Sequence, residues 1–545
     1  MRTKFPFFSK QIWLLIFLAA LVHLLYFPTK TAGFVTDFTG LSGKFERGQF
    51  WDFLTCFGFP AMEQLRHLFL WIFYKVFGIH SYGWYFIFTT FHILNGWLVF
   101  KLGKQLFQKY EIKNAVPAAI VASILFTVCP YNTEPLVWRV NFVFLLITFL
   151  TLYILRQYLL YTETQDRKHL WRLQAAFVLG LFTFELALIT PILLSAFLFF
   201  DNIYKTTLRE FIQKYAKIVL PQVGIIGIYF ILQKIIFRAW VGHYGAETHL
   251  NFDPTLIFGN LLKYTSKYLA FSRNMPHQTK ETLYNNLDSV WIWGTFMFCI
   301  VLGFIYSVVK WEKLTKKAHL AWIFAAFYFI ALLPILNIFF YYVLNIENDR
   351  YGYLPSVFLY LLIVLFLSNF PKWLSGILVG VYLIFSIQFT LKNVNSWASG
   401  DKVFRGLLED YRWQDAENVY VLAMPDNFAG AGMFRRYRRQ DSSLRDALEY
   451  MYDKKPQGNL HEIAHFNQRK LTGDFTAEKD STGLITLKFA YYGSWFWDCG
   501  HGANNYETDD FEFKTKGMKG KFRIKNPKPD DVIIFSNGTK WQEVK

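Results

Sequence analysis

Residues 11–27 read QIWLLIFLAALVHLLYF, directly after a segment that carries Arg2, Lys4 and Lys10. A bilayer core of about 30 Å takes roughly 20 helical residues at 1.5 Å each. A cleaved secretory signal is the competing reading, and it requires small residues at a cleavage site after the run. Tyr26, Phe27 and Pro28 stand there instead. The run is therefore expected to persist as a first membrane span with its basic end in the cytoplasm.

Ten further apolar runs lie near 81–101, 115–130, 139–157, 172–187, 189–201, 217–237, 288–309, 319–337, 353–369 and 373–391. The short pair at 172–187 and 189–201, with Pro191 near its turn, is expected to be a helical hairpin. The pattern predicts an α-helical polytopic membrane protein with about eleven transmembrane helices. Composition agrees: hydrophobic residues make up 53% of the chain and charged residues 18%, below the roughly 25% usual in soluble domains. That excludes intrinsic disorder and argues against an ordinary soluble enzyme. Four cysteines, Cys56, Cys129, Cys299 and Cys499, are too far apart to suggest a disulfide framework or a zinc site.

The net charge of +17 would suit nucleic acid only if the basic residues formed a patch. With the N-terminus placed inside, the inner segments hold 20 Lys or Arg in 71 residues, and the main outer segments hold 12 in 127. This asymmetry is the positive-inside pattern. The basic excess is then an orientation signal, and nucleic acid is not an expected partner. Residues 255–272 are a possible extra span. Counting them would turn the Lys-rich 310–319 segment outward, and Lys263 and Lys267 interrupt the run at helical spacing. An amphipathic helix lying on the outer surface is the expectation.

The division expected is a membrane domain over 1–392 and an extracytoplasmic α+β domain over 393–545. Residues 400–412 read as a helix continuing from the last span. Strands are expected at 418–423, 483–490, 511–516, 521–525 and 531–535, and Asn537-Gly538 signals a type I′ hairpin. Asn537-Gly538-Thr539 is also a glycosylation sequon, but the turn explains it more simply.

Polar residues in the expected outer loops are few. Asp37, Glu46, Asp52, Glu63, Arg66 and His67 fall in the first loop, and Glu134 and Arg139 in the second. His243, Glu247, His249 and Asp253 occupy a third, and Glu347, Asp349 and Arg350 a fourth. Glu185 is set within an apolar hairpin, where an ionised group costs at least about 2.5–3.5 kcal/mol; it must be neutral, paired or near water. HYGAETH (243–249) has metal-donor types without a recognised spacing, and HEIAH (461–465) matches a zinc-helix pattern with no third ligand nearby. Neither is expected to hold a metal. FRRYRRQ (434–440), with Arg435, Arg438 and Arg439, reads as a solvated face or one turned to anionic headgroups.

Four stretches, in order, carry a family resemblance: LRHLFLWIFYKVFGIHSYGWYFIFTTFHILNGWLVF (65–100), PAAIVASILFTVCPYNTEPLVWRVNFVFLLITFLTLY (117–153), FELALITPILL (184–194) and DRYGYLPSVFLYLL (349–362). Their marked positions are Arg66, Gly78, His92, Asn95, Glu134, Trp138, Glu185, Pro191, Arg350, Tyr351, Tyr353 and Pro355. Over roughly residues 1–400 the chain resembles the GT-C superfamily of polytopic glycosyltransferases that use lipid-linked sugars. It looks nearest to bacterial relatives of the TMTC-like and protein O-mannosyltransferase-like groups. Phe184 stands where the family pattern has Lys, Cys129 where it has His, and Thr36 and Phe38 flank Asp37 where many members have a second acid.

The resemblance implies a catalytic acid in the first outer loop, which by position is Asp37. It implies a polyprenyl-phosphate-linked sugar as donor, a lipid, glycan or protein as acceptor, and a bacterial inner membrane with the C-terminal domain in the periplasm. Arg350, Arg139, Arg66, Glu134 and Tyr351 are the expected lipid-phosphate or substrate-binding residues. No resident cofactor is expected with certainty, and a divalent metal stays open. A carboxylate base and a guanidinium that grips the departing phosphate suffice for a single displacement with inversion. Two other classes stay in view, a non-catalytic envelope scaffold and a lipid-carrier flippase. A transporter would be expected to show internal repeats and intramembrane charge pairs; the sequence shows no repeat.

Overall fold

The computed structural model describes residues 10–202, 206–240, 251–337, 348–434, 443–471, 475–489, 494–495 and 505–544. The first part is helical: α1 (Lys10–Tyr26), α2 (Asp37–Arg47), α3 (Gln64–Phe77), α4 (Ser81–Lys109), α5 (Ala115–Thr127), α6 (Thr133–Val137), α7 (Phe142–Thr164), α8 (Arg167–Leu181) and α9 (Thr190–Asn202). It continues through α10 (Leu208–Ile218), α11 (Leu220–Phe237), α12 (Pro254–Ala270), α13 (His277–Leu287), α14 (Val290–Val309), α15 (Lys316–Leu336), α16 (Tyr353–Leu367) and α17 (Lys372–Asp410).

All eleven apolar runs are helical. Among the described residues nine helices are long and apolar enough to cross a membrane, or ten if a bent pair counts as one span. The chain is thus an α-helical polytopic membrane protein. The bent pair is α5 with Pro130–Val137, which meet at 54°. Pro130 has no N–H to continue the helical ladder and disfavours helix in the residue before it. The eleventh run is α8, whose 15 residues reach only about 22 Å. Side chains that would be costly in water line the outside: Trp291 of α14 is 85% exposed and Ile235 of α11 is 68% exposed. Hydrocarbon is the solvent that makes such surfaces stable.

The centre of the bundle is α4, α5, α7 and α16, and several of the motif residues hold it together. His92 Nε2 lies 3.0 Å from the Thr127 carbonyl, so it must carry the proton and donate. Its Nδ1 then accepts from the Tyr353 hydroxyl at 2.7 Å. Asn95 Nδ2 lies within donating distance of Tyr353 Oη at 3.2 Å and of the Leu145 carbonyl at 2.9 Å. The buried phenol ties α16 to α4, and His92 and Asn95 tie α4 to α5 and α7.

Helix α12 departs from the surface helix expected. Lys263 does pair near the surface, with Asp288 at 2.6 Å. Lys267 turns inward, is 2% exposed and pairs with Asp349. A buried carboxylate supplies the partner that an apolar lipid face lacks, so the helix docks on the bundle rather than floating at the interface.

Helix α17 runs unbroken for 39 residues. Its first half carries the last apolar run. Its second half buries Val394, Trp397, Val403, Phe404, Leu407 and Leu408. The expected boundary at 392/393 falls inside this helix, so no linker separates the parts. Beyond it come β1 (Asn418–Val421), β2 (Met424–Phe428), β3 (Ala431–Gly432), α18 (Ser443–Tyr452), β4 (Asn459–Glu462) and β5 (His465–Gln468). Then follow β6 (Phe475–Lys479), β7 (Ile485–Phe489), β8 (Ser494–Trp495), β9 (Tyr506–Glu507), β10 (Phe511–Lys516), β11 (Lys519–Ile524), β12 (Asp531–Asn537) and β13 (Lys540–Glu543). They form three sheets, ordered β13-β12-β1-β4, β6-β7-β11-β10-β9 and β3-β2-β5-β8. Strand β1 is parallel to both neighbours, β12 and β4.

The five expected strands are present. The β12–β13 hairpin also forms, but Asn537 pairs with Lys540, so Gly538 and Thr539 are its central pair. Only Gly538 has positive φ, +75°, which is the II′ pattern rather than I′. HEIAH is not a helix: it spans the end of β4 and the start of β5, and His461 stacks on Tyr420 at 4.7 Å. The histidines at 243 and 249 and the arginines at 435, 438 and 439 lie outside the described residues.

Replacing Tyr353 with Phe removes one hydroxyl and leaves His92 Nδ1 and Asn95 with unmet polar groups. The expected loss is about 1–3 kcal/mol, read as an unfolding temperature several degrees lower for the detergent-purified chain. An unchanged unfolding temperature would show that the network does not hold the bundle.

Candidate active site

The segment between α1 and α2 is fastened residue by residue. Gly33 has φ +102°, and a Cβ there would lie 1.8 Å from the Val137 carbonyl oxygen. Only glycine fits this flush backbone contact. Arg139 N–H donates to the Gly33 carbonyl at 3.0 Å. The Trp138 indole N–H donates to the Val35 carbonyl at 3.2 Å. Thr36, at φ +53°, donates its N–H to the Met433 carbonyl at 3.0 Å. Helix α2 then starts at Asp37, which is exposed between buried Thr36 and Phe38. A carboxylate in the first turn of a helix is favoured by the helix dipole.

The far side of α2 rests on the C-terminal part. Gly43 lies against Tyr450 of α18, whose ring a Cβ would meet at 2.4 Å. The Arg47 guanidinium sits 5.1 Å from the same ring centroid. Upstream, Thr31 donates to Asp401 of α17 at 2.8 Å, and Arg405 donates to the Thr31 carbonyl. The chain before and after Asp37 is thus held from the C-terminal side.

Arg350 lies in the 3-10 turn Asp349–Gly352 that leads into α16. Its backbone N–H donates to Glu134 Oε2 at 2.8 Å, and its Nη1 donates to Oε1. Glu134 is fully buried, whereas the Arg350 side chain keeps 18% exposure. The guanidinium lies over Trp138 at 5.2 Å and over Tyr351 at 4.7 Å from the ring centroids. Trp138 therefore joins two predicted residues. Its N–H holds the carbonyl two residues before Asp37, and its face carries Arg350.

Asp349, next in sequence, takes two cations, Lys267 and Arg273. All three are buried, and Lys267 and Arg273 lie 4.7 and 4.6 Å from the Tyr131 ring centroid. Burial pulls the Lys267 ammonium below the usual lysine range, with Asp349 opposing and Arg273 reinforcing that shift. Gly352 closes the turn: a Cβ there would sit 1.8 Å from the Tyr268 hydroxyl. Across the two adjacent groups, three cations face two carboxylates. Lys267 was visible in sequence only as an interruption, and Arg273 carried no local signal at all.

The remaining expected residues divide. Tyr351 packs edge-on to Phe144 at 5.6 Å, and Phe144 to Phe184 at 5.1 Å. Glu185 follows Phe184, at a 3-10 turn rather than mid-helix, and lies within electrostatic reach of Glu63. Arg66 pairs with Glu63 at the start of α3. An aromatic wall thus links Arg350 and Tyr351 to the Arg66 corner. Arg139 is different. It is wholly buried and donates to the carbonyls of Leu136 at 3.0 Å and Thr29 at 3.2 Å. It fixes the loop and presents no donor edge to a substrate.

Among the described residues no three His, Cys, Asp or Glu side chains gather as metal ligands. Glu134 and Asp349 already serve Arg350, Lys267 and Arg273. The donor set does not fit a divalent cation here, and no step is assigned to one.

No family model matches the chain, and no curated protein matches it. Solved structures do. The Cupriavidus metallidurans ArnT bound to undecaprenyl phosphate is 12% identical, with 83% of this chain and 85% of that chain covered at a TM-score of 0.33. ArnT from the same organism in the apo state is 12% identical over the same shares at a TM-score of 0.34.

Asp349→Asn would leave Lys267 and Arg273 buried without a counter-charge, a loss of roughly 3–5 kcal/mol. Adding Lys267→Met should recover part of it, because one buried cation is removed. A double-mutant cycle on thermal unfolding checks this; strictly additive effects would mean that the two side chains do not share one electrostatic unit.

Proposed function

We propose that the chain is a GT-C-type integral-membrane glycosyltransferase. It moves a sugar from a polyprenyl-phosphate-linked donor to an acceptor hydroxyl at the membrane face that carries the C-terminal part. In this reading the membrane is the inner membrane, the N-terminus is cytoplasmic and residues 393–545 are periplasmic. The acceptor is a lipid, glycan or protein.

One observation carries the reading. Trp138 fixes the Asp37 loop by its indole N–H and supports the Arg350 guanidinium on its face. One ring thereby supports both the backbone just before an exposed carboxylate and a partly exposed guanidinium. The excess cation of the neighbouring buried cluster favours an anion at the same place. The four motif stretches point the same way.

The chemistry follows from these groups. Asp37 takes the proton of the acceptor hydroxyl as its oxygen attacks the anomeric carbon. The bond from that carbon to the phosphate oxygen breaks, and the electron pair leaves with the polyprenyl phosphate. Arg350 stabilises the growing charge on that phosphate. Its Nη1 is held by Glu134, and Nη2 points toward the Tyr351 hydroxyl at 3.4 Å, a contact long enough to yield to a stronger acceptor. Because Glu134 also holds the Arg350 backbone N–H, the turn stays fixed when the guanidinium shifts its bonds. One displacement with a carboxylate base inverts the anomeric configuration.

Transfer from defined polyprenyl-phosphate sugars tests the proposal. Asp37→Asn should lower the rate by about 10²–10⁴-fold. Arg350→Lys should also lower it, since lysine keeps the charge but loses both the donor fork and the stacking on Trp138. Full activity in Asp37→Asn, or a product with retained configuration, rejects the assignment.

A further inference from the structure

A second polar feature has a lining that includes neither Asp37 nor Arg350. An open cleft of about 540 Å³ separates the middle of α17 from the turn after β2, and it is lined by Gln388, Leu391, Lys392, Asn395 and Arg469 among others. None of the described residues lining it is acidic. Lys392 and Arg469 are both exposed, and they come from different elements. Lys280 of α13 adds a third positive charge: burial first, then Arg273, Arg469 and Lys392, hold it below the usual lysine range. Lys392 Nζ also reaches Asn274 Oδ1 at 3.5 Å.

The position of the cleft matters as much as its charge. Ile377, Val381 and Ile384 are 55%, 47% and 66% exposed. They continue at steps of three and four residues into Gln388, Leu391 and Asn395. These residues therefore share one face of α17. A bare apolar stripe runs up the membrane half of the helix and ends at a cationic cleft where the helix leaves the bilayer. An acyl chain fits the stripe, and a phosphate fits the cleft.

We propose that this cleft binds the phosphate headgroup of an anionic phospholipid, whose acyl chain lies along the Ile377–Ile384 face. Its lining shares no residue with the Arg350 group, and the proposal does not depend on the chain being a transferase. By anchoring α17 to the bilayer where Lys392 emerges, the lipid fixes the height at which the second half of α17 meets the first loop.

Lipid retention by the full chain tests this, with activity playing no part in the readout. The protein is purified in uncharged detergent, stripped, and offered phosphatidylglycerol or phosphatidylcholine, with bound lipid counted by native mass spectrometry. Wild type should prefer phosphatidylglycerol. Lys392→Ala and Arg469→Ala should each weaken that preference about fivefold, while Lys392→Arg keeps it. An unfolding temperature equal to wild type confirms that the variants are folded, and Lys392→Gln serves in place of a variant that is not. Inorganic phosphate at millimolar concentration should fail to displace phosphatidylglycerol. Equal retention of the two lipids, unchanged preference in both alanine variants, or full displacement by inorganic phosphate overturns the proposal; the last would mark a site for a soluble anion.

Discussion

Removing Glu134, Asp349, Lys267, Arg273 and most of Arg350 from water is the constraint on which this end of the bundle depends. A buried ion costs several kcal/mol unless a partner with good geometry meets it. The partners here come from α6, α12, the 3-10 turn after it and the turn before α16. No one of these elements can shift without stranding a charge. Tyr131, packed against both Lys267 and Arg273, fills the space that water would otherwise use to relieve that penalty. The cluster is thus a positional lock, and Arg350 inherits its precision because it follows Asp349 directly in the chain.

The Asp37 loop has a second lock of a different kind. Its bonds are mostly to backbone: Gly33 on Val137, Arg139 on Gly33 and Thr29, Trp138 on Val35 and Thr36 on Met433. Such bonds fix path rather than chemistry. Two of the clamps, Met433 and Tyr450, come from the part that follows α17. Because α17 is one helix from the bilayer to Asp410, that part is rigidly referred to the membrane half. Its sheets are therefore connected mechanically to the carboxylate, whatever else they contact.

Much of this architecture was legible in the sequence, for a simple reason. A run of about 20 apolar residues has few uses other than a span, so all eleven helical runs stood out. What was illegible depends on long-range pairing. Lys267 looked like a residue for a lipid surface because a lysine in an amphipathic helix usually is one; only the arrival of Asp349 makes it internal. Arg273 has no periodic or motif context. Arg139 and Arg350 looked alike as lone arginines in outer loops, yet carbonyls enclose one and a carboxylate with two aromatic rings presents the other. The hairpin at Asn537 slipped by one residue: Asn537 pairs with Lys540 as a strand residue, which leaves Gly538 as the first turn residue at positive φ.

The motif residues themselves separate into frame and chemistry, and the separation follows burial. His92, Asn95 and Tyr353 form a fully buried hydrogen-bond network, and buried Arg139 gives Nη1 and Nη2 to carbonyls. A substrate could recruit such groups only by breaking the bundle. Asp37 stays exposed and the Arg350 side chain keeps 18% exposure, and each is backed by groups that keep its backbone in place. One stretch can therefore combine two different physical roles. Residues 349–353 hold both within a single turn: Asp349 and Tyr353 face inward to hold helices together, and Arg350 between them keeps an edge toward the outside.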